Sequence, residues 1–254
     1  MSEYLIDKYP KIDFIFLKEV TSTNDYCKEL ALSDFTNKIL VVSEIQTAGR
    51  GTKGRTWSSS NDKGLWFSIL LKPEFTIKDL NFIPIMTSIA ICEALETFDI
   101  KALIKWPNDI YVDNKKLCGI LTESNISKNN LDYVVIGIGI NTNSDLIDFN
   151  DDLMTSATSL KIVLGKEIDK IILLDRIIEK FNYFYSKLIS LDKSYILNKY
   201  KAKSLVLNKE VNLTSRNTSK IVIPLDILED GSLLVKNADS SIEKVLANEI
   251  SIRL

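Results

Sequence analysis

The stretch Gln46-Thr47-Ala48-Gly49-Arg50-Gly51-Thr52-Lys53-Gly54-Arg55-Thr56-Trp57 holds more potential chemistry than any other in the chain. Three glycines and three cations stand within the seven residues Gly49 to Arg55. Glycine lets a backbone approach a ligand and adopt positive φ. Exposed N–H groups beside Arg and Lys make a cradle for phosphate or carboxylate. The same composition suits a solvated surface loop, and the stretch alone leaves both readings open. The spacing Gly49 to Gly54 imitates a P-loop, but that motif needs lysine at Arg55 and a following helix. Here the β-like run Leu65–Leu71 follows instead.

Four other groups have suitable types. Thr21-Ser22-Thr23-Asn24-Asp25 offers hydroxyls and an amide; it is either a helix N-cap with Asp25 closing a capping box or a set of donors and acceptors for a polar ligand. Asn108 and Asp109 follow Lys105-Trp106-Pro107, and a carboxylate there holds Mg²⁺ or a ribose hydroxyl, or simply caps a turn. Lys116 opens a strand that continues through Gly119, a glycine that suggests close approach of a ligand or another backbone. Alone, Lys116 suits a solvent-facing strand position. Gly137-Ile138-Gly139-Ile140-Asn141 lacks the third glycine and the helix of a dinucleotide fingerprint, so its small residues are expected to make room for a ligand.

These groups need elements to hold them. Strands are expected at Ile12–Val20, Ile39–Ser43, Leu65–Lys72, 102–104 and 133–141, with a hairpin formed by 110–112 and 116–121. A helix should follow Ser22, another should open near Pro84, a third should cover 169–190, and a fourth should run to about Lys203. A polar turn is expected over 125–130. From Leu205 the pattern changes to short strands (210–214, 220–224, 233–236, 250–253) separated by turn signals at 215–219, 229–231 and 237–239. This predicts a small β-barrel-like module and domains at 1–204 and 205–254.

Composition narrows the function. The 254 residues are 45% hydrophobic and 26% charged with net charge −2, which suits a globular protein with no global attraction to nucleic acid. There is no histidine, which removes Ser-His-Asp triads and most zinc sites. Cys27, Cys92 and Cys118 have neither metal spacing nor an even count. Neither a signal peptide nor a membrane-length apolar run is present, so a cytoplasmic protein is expected.

Six segments appear in the order and spacing of one family: Ser22-Thr-Asn24, Gln46 through Trp57, Gly64-Leu-Trp66, Lys105-Trp-Pro-Asn-Asp109, Lys116-Leu-Cys-Gly119 and Gly137-Ile-Gly-Ile-Asn141. The chain from about Ile12 onward resembles the biotin–protein ligases, in the enzyme-only form without a DNA-binding repressor domain. The resemblance implies an α+β fold: a mixed-sheet, class II synthetase-like catalytic domain with a small C-terminal SH3-like β-barrel. It implies ATP-dependent formation of biotinyl-5′-AMP, then transfer to a lysine of a biotin carboxyl carrier domain of acetyl-CoA carboxylase or a related carboxylase. Lipoate or octanoate ligation by a related fold, and non-catalytic biotin binding by a regulatory protein, are the alternatives.

Carried over by residue, the resemblance implies catalytic roles for Arg50, Lys116 and Asp109. Biotin would meet Ser22, Thr23, Asn24, Gln46, Gly49, Arg50, Gly51, Thr52, Lys116 and Gly119. The nucleotide would meet Lys53, Arg55, Trp57, Asn108 and Asn141. ATP and Mg²⁺ are implied, with no protein metal site, no DNA, no membrane, and a monomer or weak homodimer. The loop 49–62 is expected to order over its ligand. Some members carry arginine where this chain has Thr52 and Lys53, which leaves fewer fixed cations in the loop.

Overall fold

The computed structural model describes residues 2–128, 130–214, 218–247 and 251–253. Its elements are α1 (Ser2–Lys8), β1 (Ile12–Val20), α2 (Thr23–Leu30), β2 (Lys38–Gln46), β3 (Leu65–Leu71), α3 (Phe82–Glu96), β4 (Leu103–Lys105), β5 (Asp109–Val112), β6 (Lys115–Ser127), β7 (Asn130–Ile140), α4 (Asp151–Met154), α5 (Leu160–Leu164), α6 (Lys170–Ile189), α7 (Lys193–Ala202), β8 (Val211–Thr214), β9 (Ser219–Ile227), β10 (Leu233–Asn237), β11 (Ile242–Val245) and β12 (Ser251–Arg253). Two compact units divide the chain: Met1–Ile77 with Val112–Glu179, and Lys78–Tyr111 with Lys180–Leu254.

In the first unit the strand order is β1-β2-β3-β7-β6. β1 and β2 are parallel, and the other neighbours are antiparallel. A parallel pair needs a crossover, and α2 supplies it. Cys27 of α2 packs with Ile39, Val41, Leu70 and Val135 from three strands. Every residue of β3 is buried, as a central strand covered on both faces requires. The N-terminal helix is tied down through Asp175 of α6, which accepts from the Lys8 ammonium at 2.7 and 2.8 Å and from the Tyr9 hydroxyl at 2.7 Å. Burial pushes the Asp175 carboxyl up, but Lys8, Tyr9 and Tyr4 outweigh it and leave the group below the ordinary carboxylate range.

The second unit contains α3, in which twelve residues are buried. Glu93 of α3 accepts from Lys199 of α7 at 3.1 Å. β4 and β5 are antiparallel, and the Trp106 indole N–H donates to Gly231 O at 3.1 Å. The expected C-terminal module is a separate antiparallel sheet ordered β11-β10-β9-β8-β12. Pro224 lies within β9, where the pairing with β10 shifts register; a bulge tolerates a residue with no N–H to donate.

Most expected elements are present, with three differences. Ser22 occupies the N-cap of α2 but makes no side-chain capping bond, so the capping-box reading fails; Asp25 instead bonds Lys28 and Arg50. The polar run 125–130 is mostly strand: Asn125 pairs with Tyr133 and Ser127 with Asn130. The chain does reverse within this run, with Ser127 paired to Asn130 and Lys128 at φ 47°, but the turn is tighter than expected and the polar residues beside it belong to the exposed end of the β6–β7 ribbon. β11, α1, α4 and α5 carry too short a pattern to stand out in sequence. Residues 215–217 of the expected turn and residue 250 of the last expected strand lie outside the described residues.

Candidate active site

The loop after β2 is closed on itself. Arg50 and Thr56 form an antiparallel bridge. Gly51 N–H donates to Arg55 O at 2.7 Å, Arg55 N–H to Thr52 O at 3.3 Å and Trp57 N–H to Gly49 O at 2.9 Å. Lys53 and Gly54 turn the chain at φ 60° and 72°, a region in which glycine is unstrained. Three of the N–H groups expected to form an open anion cradle are therefore spent inside the loop. The Arg55 guanidinium is likewise turned onto Thr52, donating to its carbonyl at 3.1 Å and its hydroxyl at 2.8 Å. Burial, with the charge of Arg55 second, lowers the pKa of Lys53. Gly49 is needed for close approach, since a Cβ there would lie 2.2 Å from Ser59 Oγ.

Beneath the loop, polar side chains meet inside the unit. Gln46, Thr23, Asn24 and Ser68 are all buried. Gln46 Oε1 accepts from Thr23 N–H at 2.8 Å and meets Thr23 Oγ1 at 3.0 Å. Ser68 Oγ lies 2.7 Å from Thr23 Oγ1 and 2.6 Å from Asn24 Oδ1. The amide orientations follow from their partners: Gln46 Oε1 faces a backbone donor, and Asn24 Nδ2 faces Glu123 Oε2 and Leu121 O at 2.8 and 3.4 Å. Three oxygen–oxygen contacts then share two hydroxyl protons, those of Thr23 and Ser68. The cluster is one donor short and carries a surplus of acceptors. Gly137 makes room for it, because a Cβ there would lie 2.2 Å from Asn24 Oδ1.

This cluster continues to the loop cation. Glu123, at 2.8 Å from Asn24 Nδ2, also accepts from Lys28 at 2.7 Å and forms ion pairs with Arg50 at 3.1 Å. Arg50 Nη1 is 2.5 Å from Asp25 Oδ1. Burial raises the Asp25 pKa, but the hydrogen bonds and charges of Lys28 and Arg50 outweigh it, and the carboxyl ends below its ordinary range. Arg50 is thus held by two carboxylates.

Lys116 meets the loop at Trp57. Its ammonium lies 5.2 Å from the Trp57 ring centroid, within cation–π range. The indole covers Gly119 and Gly139: a Cβ on either would meet it at 2.8 and 2.5 Å. The space made by these glycines, expected for a ligand, is filled by Trp57. Its buried Nε1–H has no partner, and Trp66 meets it edge-on with centroids 6.5 Å apart.

The first unit therefore brings together Thr23, Asn24, Gln46, Gly49, Arg50, Trp57, Lys116 and Gly119. Ser22 is buried at the start of α2, and Gly51, Thr52, Lys53 and Arg55 line the turn of the loop. Asn141 has a structural bond instead of an open amide: Nδ2 donates to Thr158 O at 3.0 Å. Asn108 and Asp109 belong to the second unit, where Asn108 is buried and Asp109 pairs with Lys105 across β4 and β5. No cluster of three or more Cys, Asp or Glu able to hold a metal occurs among the described residues. Sequence reasoning missed Ser68, Glu123 and Ser59, and gave Asp25 a capping role in place of its pairing with Arg50. Only Ser68 carried a signal, as the one polar residue in the apolar run Leu65–Leu71.

The family model described as "Biotin/lipoate A/B protein ligase family" matches residues 16–141. A bifunctional ligase/repressor BirA of Bacillus spizizenii is 30% identical over 239 residues, covering 94% of this chain and 73% of that protein. A biotin protein ligase from Aquifex aeolicus, solved in complex with biotin and ATP, superposes with TM-score 0.82 at 32% identity, over 95% of this chain and 98% of that one. A Leishmania major biotin protein ligase in complex with biotinyl-5-AMP gives TM-score 0.64 at 26% identity, over 92% and 99%.

Proposed function

The chain belongs to the biotin/lipoate A/B protein ligase family and is a biotin–protein ligase, and from that premise we propose how its residues divide the work. The biotin carboxylate attacks the α-phosphorus of ATP, the α–β phosphoanhydride bond breaks, and pyrophosphate leaves. A lysine amine of a biotin carboxyl carrier domain, in acetyl-CoA carboxylase or a related carboxylase, then attacks the acyl carbon of biotinyl-5′-AMP and releases AMP. The observation that carries the assignment is the donor-deficient cluster of Thr23, Asn24, Gln46 and Ser68, joined to Arg50 through Glu123; Lys116 stands on the Trp57 ring of the same loop. The ureido group of biotin has two N–H donors, which suit that acceptor surplus.

Arg50 and Lys116 offset the repulsion between carboxylate and phosphate and stabilise charge developing in the transition state. For this role the Lys116 ammonium leaves the Trp57 face or acts from it. Asp109 is the base, or the positioning group, for the incoming amine, which attacks only when deprotonated. Lys53, Arg55, Trp57, Asn108 and Asn141 serve the nucleotide. Magnesium enters as MgATP, part of the substrate. Residues 1–204 are proposed as the catalytic domain and 205–254 as the accessory β module. No helix among the described residues is long and apolar enough to cross a membrane, and a cytoplasmic monomer or weak homodimer is proposed.

Biotin-dependent pyrophosphate release from ATP tests the reading, measured on wild type and Lys116→Ala with lipoate and octanoate as rival acids. Release with biotin alone, nearly lost in the variant, is expected. Release only with lipoate or octanoate would overturn the choice of acid; biotin binding without release would leave a non-catalytic binder. Slower amide exchange over 49–62 on adding biotin and ATP is expected if the loop orders over the ligand.

A further inference from the structure

The two ends of the polar network belong to different tasks. Gln46, Thr23 and Asn24 face the acid-binding role, and Arg50 faces the reacting phosphate. One side chain joins them: Glu123, on β6. Its Oε2 accepts from Asn24 Nδ2 at 2.8 Å, and its Oε1 from Lys28 at 2.7 Å. Arg50 approaches both oxygens, Nη2 to Oε1 at 3.1 Å and Nη1 to Oε2 at 3.4 Å. This is a two-point grip that sets the plane of the guanidinium, which a single-point contact does not do.

The surroundings explain why the grip is needed. Arg50 is on a loop, and its side chain is 41% exposed. Its other partner, Asp25, is 42% exposed and binds it at one point from the first turn of α2. Glu123 is on a strand paired to β7 on one side, and its side chain is only 22% exposed. A rigid element holding a charged group orients it more closely than a loop does. The four charges Asp25, Glu123, Lys28 and Arg50 also sum to zero, so the guanidinium is set in a neutral cluster without leaving a bare carboxylate facing substrate phosphates.

We propose that Glu123 is a positioning residue for the adenylation step, which orients the Arg50 guanidinium and ties its placement to Asn24 of the acid-binding cluster. The proposal rests on the ligase reading above. Glu123 acts through Arg50, so its contribution should vanish when Arg50 is absent. A purely structural residue would matter equally in both backgrounds.

The test is a double-mutant cycle on biotin-dependent pyrophosphate release, with wild type, Arg50→Lys, Glu123→Gln and the double variant. Glutamine keeps the shape but turns an NH₂ toward the donors of Asn24, Lys28 or Arg50. Glu123→Gln is expected to lower kcat about tenfold, a coupling of ordinary size for groups in one network, with a smaller change in the KM for biotin. In the Arg50→Lys background it should change kcat less than about twofold. Equal factors in both backgrounds, or wild-type kcat in Glu123→Gln, would overturn the assignment and leave the ligase intact. No release by the wild type would overturn the ligase reading and this assignment with it. If Glu123→Gln does not fold, Glu123→Asp carries the same cycle: it keeps the charge and withdraws the carboxylate from Arg50.

Discussion

The cluster around Ser68 and the loop from Gly49 to Trp57 hold similar polar groups in opposite ways. Around Ser68 the side chains are buried on α2, β2 and β3, and their partners are one another. Buried polar groups of this kind are costly unless paired, so their geometry is narrowly set. In the loop, Arg55 is exposed and satisfied by its own turn, and Arg50, 41% exposed, is held by Asp25 and Glu123. Exposed ion pairs contribute little to stability, so the loop can give up its bonds cheaply when a ligand offers better ones. On the roles proposed above, the buried cluster recognises a neutral polar group and the loop handles phosphate charge.

The comparison predicts separable effects. Arg50→Ala should lower kcat for pyrophosphate release by about 10²–10³ while moving stability by less than about 0.5 kcal/mol. A melting shift as large as the activity loss would mean that the loop is part of the core. Asp175→Asn should do the reverse, costing about 2–3 kcal/mol of stability because one partner of a largely buried pair is removed, with biotin KM unchanged. The folded pKa of Asp175 is depressed, so its contribution is full above the unfolded value near 3.9 and is lost as pH falls through the lower folded value. Thermal melts of wild type and variant should therefore converge toward pH 3; a gap that persists at acid pH would point to packing instead of charge.

Gly137→Ala and Ser68→Ala probe the buried cluster directly. The added methyl at 137 must displace the Asn24 amide, and loss of the Ser68 hydroxyl strips a proton from an already donor-poor network. Each should cost about 1–3 kcal/mol and raise the KM for biotin more than it lowers kcat. A pure kcat effect would break the division between the two regions. A small change is expected at Asp25→Asn, below about 0.5 kcal/mol in denaturant melts, since its pairs with Lys28 and Arg50 are at least partly exposed. A larger loss would show that the exposed pairs are as well set as the buried ones.

How much of this was legible in sequence varies by residue. Gln46 through Trp57 stood out as glycines and cations in close succession, a composition that also suits a surface loop; the order of strands and helices followed from periodicity, and the α+β class from the family resemblance. Ser68 was visible only as an interruption in an apolar strand. Glu123 gave no sign, because a glutamate toward the end of a strand is ordinary in composition, and its meaning lies in three partners between 73 and 99 positions away. Gly119 and Gly139 were recognisable as points of close approach, but sequence could not say what approaches them. Trp57 does, from a loop more than sixty residues earlier in the chain.

The amino-acid order by itself determined which residue types are present, the local elements that carry them, and the classes of chemistry open to a chain without histidine. Those follow from short-range physics: backbone preference, alternation of apolar residues and the chemistry of single side chains. Only the tertiary structure decided that Arg50 is gripped by Glu123, that the glycine shelf is covered by an indole, and that Thr23, Ser68 and Asn24 share too few protons. Each depends on distances across a sheet whose strands are remote in sequence, and hydrogen bonds and ion pairs are decided by ångströms.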